Sequence, residues 1–180
     1  MQLVNAVTEE QLKNVRQLYF SAFPLEERKP FELILEKRDA GYVEILAIES
    51  DEGDFLGLAI SISCDDLLLL DYFAVMPQCR GQGVGTQALE LLLKRYTGRR
   101  FFLEIENTQA EGPDRDQRLR RKAFYSAGGF SAVKWRVNLL GVDMEIMTWR
   151  CAVSFEEYHS LYENVFTKRL SDRVRLICEG

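Results

Sequence analysis

The turn Arg80-Gly81-Gln82-Gly83-Val84-Gly85-Thr86 constrains this chain more than any other segment. It places three glycines between an apolar run, Leu67 to Met76, and a run in which Val84, Ala88, Leu91 and Leu92 recur at helical spacing. The first run is apolar on both faces apart from Asp71, the pattern of a strand inside a sheet. The segment therefore reads strand, tight turn, helix. Glycine lets the backbone curl and come close to a ligand. The first amides of a helix point outward without internal partners, and with the helix dipole they attract an anion. Arg80 adds a cation and Thr86 a hydroxyl.

Three phosphate ligands compete for such a turn. A P-loop closes with Gly-Lys-Ser/Thr, whereas this turn closes with Gly85-Thr86 and has no lysine, which excludes it. A dinucleotide turn needs a third glycine where Thr86 stands. Glu104 lies near the distance expected of a ribose-binding acid, but that fingerprint follows the first strand of a parallel unit, not an antiparallel meander. The pyrophosphate of coenzyme A is the third.

The rest of the chain reads as α/β (α+β). Gln2 to Val7 suits a first strand. Thr8 with Gln11 forms a capping-box pattern ahead of a helix that Pro24 stops. Pro30 opens a second helix, Phe31 to Ala40, closed by Gly41. Tyr42 to Glu49, Phe55 to Ser63 and Leu67 to Met76 read as a three-strand antiparallel meander. The glycine turn, its helix and the strand Phe101 to Glu106 then make a parallel crossover. A second, basic helix spans Asp116 to Ala127. Phe130 to Asn138 and Val142 to Ala152 form a hairpin around Leu140-Gly141. Ser154 with Glu157 caps a further helix to Phe166, and Arg173 to Cys178 alternates like an edge strand.

Composition excludes other classes. With 180 residues, 47% apolar and 28% charged, the chain can bury a core without metal or disulfide staples. A net charge of −5 argues against a nucleic acid or an anionic membrane as partner. Cys64, Cys79, Cys151 and Cys178 form no CxxC pair, and His159 is the sole histidine, so no metal site is expected. The N-terminus lacks an apolar signal core and no run reaches membrane-span length. A cytoplasmic setting with free thiols is the expectation.

Val75-Met76-Pro77-Gln78-Cys79-Arg80-Gly81-Gln82-Gly83-Val84-Gly85-Thr86 resembles the acetyl-CoA signature of the GNAT (Gcn5-related N-acetyltransferase) superfamily, Gln/Arg-x-x-Gly-x-Gly/Ala. Ala123-Phe124-Tyr125-Ser126-Ala127-Gly128-Gly129-Phe130 is similar to its second hallmark, a helix ending in Phe-Tyr-x-x-x-Gly-Phe. The order of elements matches over residues 1–152, and residues 153–180 fall outside it. The resemblance implies a mixed sheet opened as a V, with acetyl-CoA in the cleft. Amides from Arg80 through Gly81, Gln82, Gly83, Val84, Gly85 and Thr86 would hold the pyrophosphate. The backbone at Phe73 and Val75 would pair with the pantetheine arm. The reaction implied is direct acetyl transfer to a primary amine, on a small molecule, a peptide N-terminus or a lysine. A non-catalytic acyl-CoA-binding module is the alternative.

In that frame Tyr125 matches the acid that protonates the leaving thiolate. Leu103-Glu104-Ile105 is similar to the Leu-Glu-Val of ribosomal-protein N-terminal acetyltransferases, where the glutamate is the base. Glu106 shares its strand face. Asp71, interrupting an apolar strand, calls for a partner and is an outside choice for the base or for substrate. Where the family often has an asparagine this chain has Arg118, which leaves Arg118, Arg120, Arg121 and Lys122 to meet the 3′-phosphate or to form a wet helix face. Glu27 lies in the segment Phe23 to Arg28 that commonly lines the acceptor site. Residues 153–180 are left to cover the acceptor or to build a homodimer.

Overall fold

The computed structural model describes residues 1–179, with side chains as far as Ile177. Contacts divide the chain into two compact units, Met1–Ile62 with Leu70–Thr97, and Ser63–Leu69 with the chain from Gly98 onward.

The first unit opens with β1 (Gln2–Asn5), α1 (Glu9–Ala22) and α2 (Phe31–Asp39). The Thr8 hydroxyl accepts from the Gln11 amide and the Gln11 side chain accepts from the Thr8 amide, both at 3.2 Å. This box satisfies donors that the first turn would leave unpaired. Next come β2 (Val43–Glu49), β3 (Phe55–Cys64) and β4 (Leu67–Val75). β1 pairs antiparallel with β2, and β2 with β3, so the first strand joins the meander. β4 lies on the far side of β3. There Gly57 has no alternative: a Cβ at this position would sit 2.4 Å from the Ala74 carbonyl oxygen. α3 (Val84–Arg95) follows the glycine turn and buries Ala88, Leu89 and Leu92. Val15, Leu18, Leu46, Ile48, Leu58 and Ile60 fill this core.

The second unit contains β5 (Arg100–Glu106), α4 (Arg115–Ala127), β6 (Phe130–Leu139), β7 (Val142–Trp149), α5 (Phe155–Val165), α6 (Lys168–Ser171) and β8 (Val174–Glu179). Its strand order is β4-β5-β7-β6-β8, with the first residues of β4 beside β5 and parallel to it. The other pairs are antiparallel, so the sheet is mixed. β7 stops at Trp149, short of the expected Ala152, because Arg150 turns to φ 52° and leaves the extended path. α6 has four residues, too few to show a period in the sequence.

The two long helices of this unit cover opposite faces of its sheet. Tyr125 of α4 packs on Phe130, which packs on Phe101. Lys122 of α4 reaches Glu145, whose register partner is Ile105. α4 therefore covers the Phe101 and Ile105 face. Tyr158 of α5 packs on Phe102 and bonds Glu104, one residue out of phase, so α5 covers the other face.

Candidate active site

The turn before α3 has the backbone its glycines imply. Gly81 and Gly83 adopt φ of 74° and 81°, a region costly for other residues. Gly83 is the cap residue of α3 and offers no side chain to the first amides. Every other long helix carries an acid in its first turn; α3 carries none. The positive end of its dipole thus meets no acid from its own first turn, which fits an external phosphate. Arg80 is exposed, and its Nε donates to the Val75 carbonyl at 3.3 Å, drawing the guanidinium back over the end of β4. Gln82 donates to the Gln78 carbonyl at 2.7 Å. Gly85 lies inside α3 with helical backbone. Thr86 is exposed, and Phe73 and Val75 are half-buried.

Asp71 has the partner that its position demands. Its carboxylate accepts from Lys29 Nζ at 2.7 Å, with both side chains almost wholly buried. Burial pushes the Asp71 carboxyl above its ordinary range, and the Lys29 charge opposes that. The same lysine joins a backbone network. Tyr19 donates to the Lys29 carbonyl at 2.8 Å, the Lys29 amide donates to Tyr72 Oη at 2.9 Å, and Tyr72 donates to the Glu27 carbonyl at 2.9 Å. The segment carrying Glu27 is thereby strapped to α1 and β4. Glu27 itself is half-buried in the turn between α1 and α2. Lys29 escaped the sequence reading because a lysine before a proline in a polar loop looks unremarkable. On the outer side of α1 and α2, a groove of about 540 Å³ runs past Leu12, Phe20, Phe31 and Leu35 and holds none of the residues nominated from sequence.

In the second unit, Tyr125 is 7% exposed and packs edge-on against Phe124 and Phe130. Among the described residues its hydroxyl has no hydrogen-bond partner. Burial pushes its pKa up to about 12, against the pull of the Arg121 charge. It remains a phenol, able to donate a proton, at any physiological pH.

Glu104 lies on the opposite face of β5 from Tyr125. Its Oε1 accepts from Tyr158 Oη at 2.7 Å and from Tyr162 Oη at 2.8 Å. Glu106 closes β5, and there Arg121 Nη1 of α4 donates to its carboxylate at 3.1 Å, so it is held from the α4 side instead of joining Glu104, and a nominated base and a nominated phosphate ligand hold each other. Arg118 is turned inward onto the Ala110 carbonyl. The loop after β5 is held by Glu145, which accepts from the Thr108 amide at 2.7 Å, the Thr108 hydroxyl and Lys122. Tyr158 and Tyr162 were readable as the buried stripe of a helix. The signal missed was that a buried phenol needs an acceptor. His159 stacks on Phe155 and faces Glu163 at 3.6 Å, remote from these groups in role.

Cys64, Cys79 and Cys151 are free thiols, and the side chain of Cys178 lies outside the described residues. Among the described residues no group of His, Cys, Asp or Glu is placed to hold a metal, and no helix is long and apolar enough to cross a membrane.

The acetyltransferase (GNAT) family model matches residues 11–112, more than half of the chain. The chain belongs to this family. YjbC of Bacillus subtilis (strain 168) is 29% identical over 160 residues, covering 81% of this chain and 77% of its own length. Among solved structures, a GNAT-family protein from Bacteroides thetaiotaomicron superposes with a TM-score of 0.74 at 21% identity, over 95% of this chain and 99% of that one. An aminoglycoside 6′-N-acetyltransferase complexed with coenzyme A superposes with a TM-score of 0.64 at 15% identity, over 86% and 100% of the two chains. At these identities the likeness is one of fold.

Proposed function

We propose that this chain transfers an acetyl group from acetyl-CoA to a primary amine, directly and without an acetylated enzyme. The observation that carries the reading is the start of α3: two left-handed glycines, no side-chain cap and no first-turn acid, beside an exposed arginine. That arrangement suits a pyrophosphate. The aminoglycoside enzyme of the same fold holds coenzyme A, which supports the choice of cofactor.

Bound acetyl-CoA supplies a thioester carbonyl open to attack by nitrogen. The Gly83 to Thr86 amides, with Arg80, hold its phosphates. The half-buried backbone at Phe73 and Val75 pairs with the pantetheine arm. Glu104 takes the proton that an attacking amine must lose, directly or through a water. Tyr125 delivers a proton to the departing sulfur as the C–S bond breaks. These two groups stand on opposite faces of β5. Glu27 and its strapped turn present a carboxylate suited to a cationic acceptor. We place the protein in the cytoplasm, with amine acceptors rather than nucleic acid or membrane as partners.

The test is thiol release from acetyl-CoA over a panel of polyamines, aminoglycosides and alanine-terminated peptides. Turnover of at least one amine is expected. Coenzyme A binding with no turnover on any of them would favour a binding module. Tyr125→Phe is expected to lower kcat by about 10²-fold while leaving coenzyme A affinity unchanged. If affinity collapses and the rate per bound cofactor holds, the acid role is wrong.

A further inference from the structure

We propose that Tyr158 and Tyr162 are positioning residues that fix the Glu104 carboxylate for proton abstraction, so that α5 belongs to the acyl-transfer machinery. This rests on Glu104 being the base.

The two tyrosines stand four residues apart on α5, hence on one face of the helix, and both are fully buried. Both hydroxyls donate to the same oxygen, Oε1, at 2.7 and 2.8 Å. An ionised carboxylate oxygen has about two lone-pair sites. Oε1 thus receives a donor at each of these sites. Two donors from one rigid helix also hold the carboxyl group in a single orientation, and a base acts only within hydrogen-bond reach of its proton.

The helix bearing the pair is itself well fixed. Ser154 and Glu157 form a reciprocal cap at 3.2 and 3.0 Å. Arg100, the first residue of β5, donates to Glu157 at 2.7 Å and to both Asp66 oxygens at 2.8 and 2.9 Å. The start of the strand and the start of the helix are thus tied together. The ring chain Trp135, Tyr158, Tyr162 and Phe166 sets the register along α5. Of the other charged groups on these elements, Glu106 is paired with Arg121, Glu145 with Lys122, and His159 with Glu163. Tyr125 stands on the other sheet face.

The experiment compares wild type with Tyr158→Phe, Tyr162→Phe, the double variant and Glu104→Gln. Phenylalanine keeps the ring and removes only the donor. Thiol release from acetyl-CoA is followed against pH, with the fastest amine of the panel or with water as acceptor. The expected result is a fall of about tenfold in kcat for the double variant, an unchanged KM for acetyl-CoA, and an acid limb displaced to higher pH. In 13C-glutamate-labelled protein, the Glu104 carboxyl signal should titrate at higher pH in the double variant, whatever the acceptor. An unmoved signal, or a moved signal with an unmoved rate profile, overturns the proposal. If Glu104→Gln keeps full activity, the base assignment fails, and the proposal with it. If Glu104→Gln is inactive while the double variant matches wild type, only the positioning role fails.

Discussion

Lys29 and Asp71 show how a single residue can decide whether a strand tolerates a charge. Asp71 interrupts an apolar strand, and burial alone would make it costly. Lys29 at 2.7 Å offsets this, and three further hydrogen bonds hold the lysine backbone and the turn before it. Removing one member leaves the other charged and buried, which costs about 3–5 kcal/mol, whereas replacing both with apolar groups is often neutral. Lys29→Met is therefore expected to lower the urea midpoint sharply, and Lys29→Met with Asp71→Leu to recover most of it. If the double variant is as unstable as the single one, the cost lies in lost packing and not in the orphaned charge. Both residues were visible in the sequence, but only Asp71 announced itself, because its neighbours were apolar and those of Lys29 were not.

Among the elements, α3 is the one whose start is built differently from the rest. Gly83 and Gly85 separate two reasons for a glycine there. Gly83 needs its left-handed backbone, and open space surrounds the position of a Cβ. Gly83→Ala is expected to destabilise the fold by about 1–2 kcal/mol and to weaken coenzyme A binding. Gly85 has helical backbone, where alanine favours the helix by about 0.5–1 kcal/mol. Gly85→Ala should therefore keep or raise the melting temperature and yet weaken coenzyme A binding, since the proposed function brings the phosphates to this turn. Calorimetric titration with coenzyme A checks both, and wild-type affinity in Gly85→Ala would remove the turn from the site. The elements that set this turn were legible because they depend on local signals: the continuous apolar run of β4, glycine spacing, and helical period after Val84. The Thr8 and Ser154 caps were legible for the same reason. What escaped were contacts over long separations, such as Tyr158 and Tyr162 on Glu104 or Thr108 on Glu145. Side-chain pairing across tens of residues leaves no period to read.

For the molecule as a whole, the placement of its carboxylates sets its response to acid. Burial pushes Glu145 up, but Lys122 and two bonds from Thr108 more than reverse this, so its carboxyl titrates below the usual range. Glu44 in the first unit behaves alike: burial raises it, and Arg95 and Tyr96 pull it lower. A carboxyl whose folded pKa lies below its unfolded one stabilises the fold above the unfolded value, 4.5, and that stability is lost as pH falls through the folded value. With a single histidine in the chain, little else protonates between pH 8 and 5. Unfolding free energy from urea titrations is therefore expected to stay nearly flat from pH 8 to about pH 5 and to decline below 4.5. Glu145→Gln should be less stable at pH 7, and its decline should be shallower, since one of the protonations that drive the loss has been removed. The difference between the two proteins should narrow as the pH falls. A constant difference across the whole range would mean that Glu145 stabilises the Thr108 loop by shape and hydrogen bonding alone. In that case its charge, and the pull of Lys122 on it, would contribute nothing to holding the second unit together.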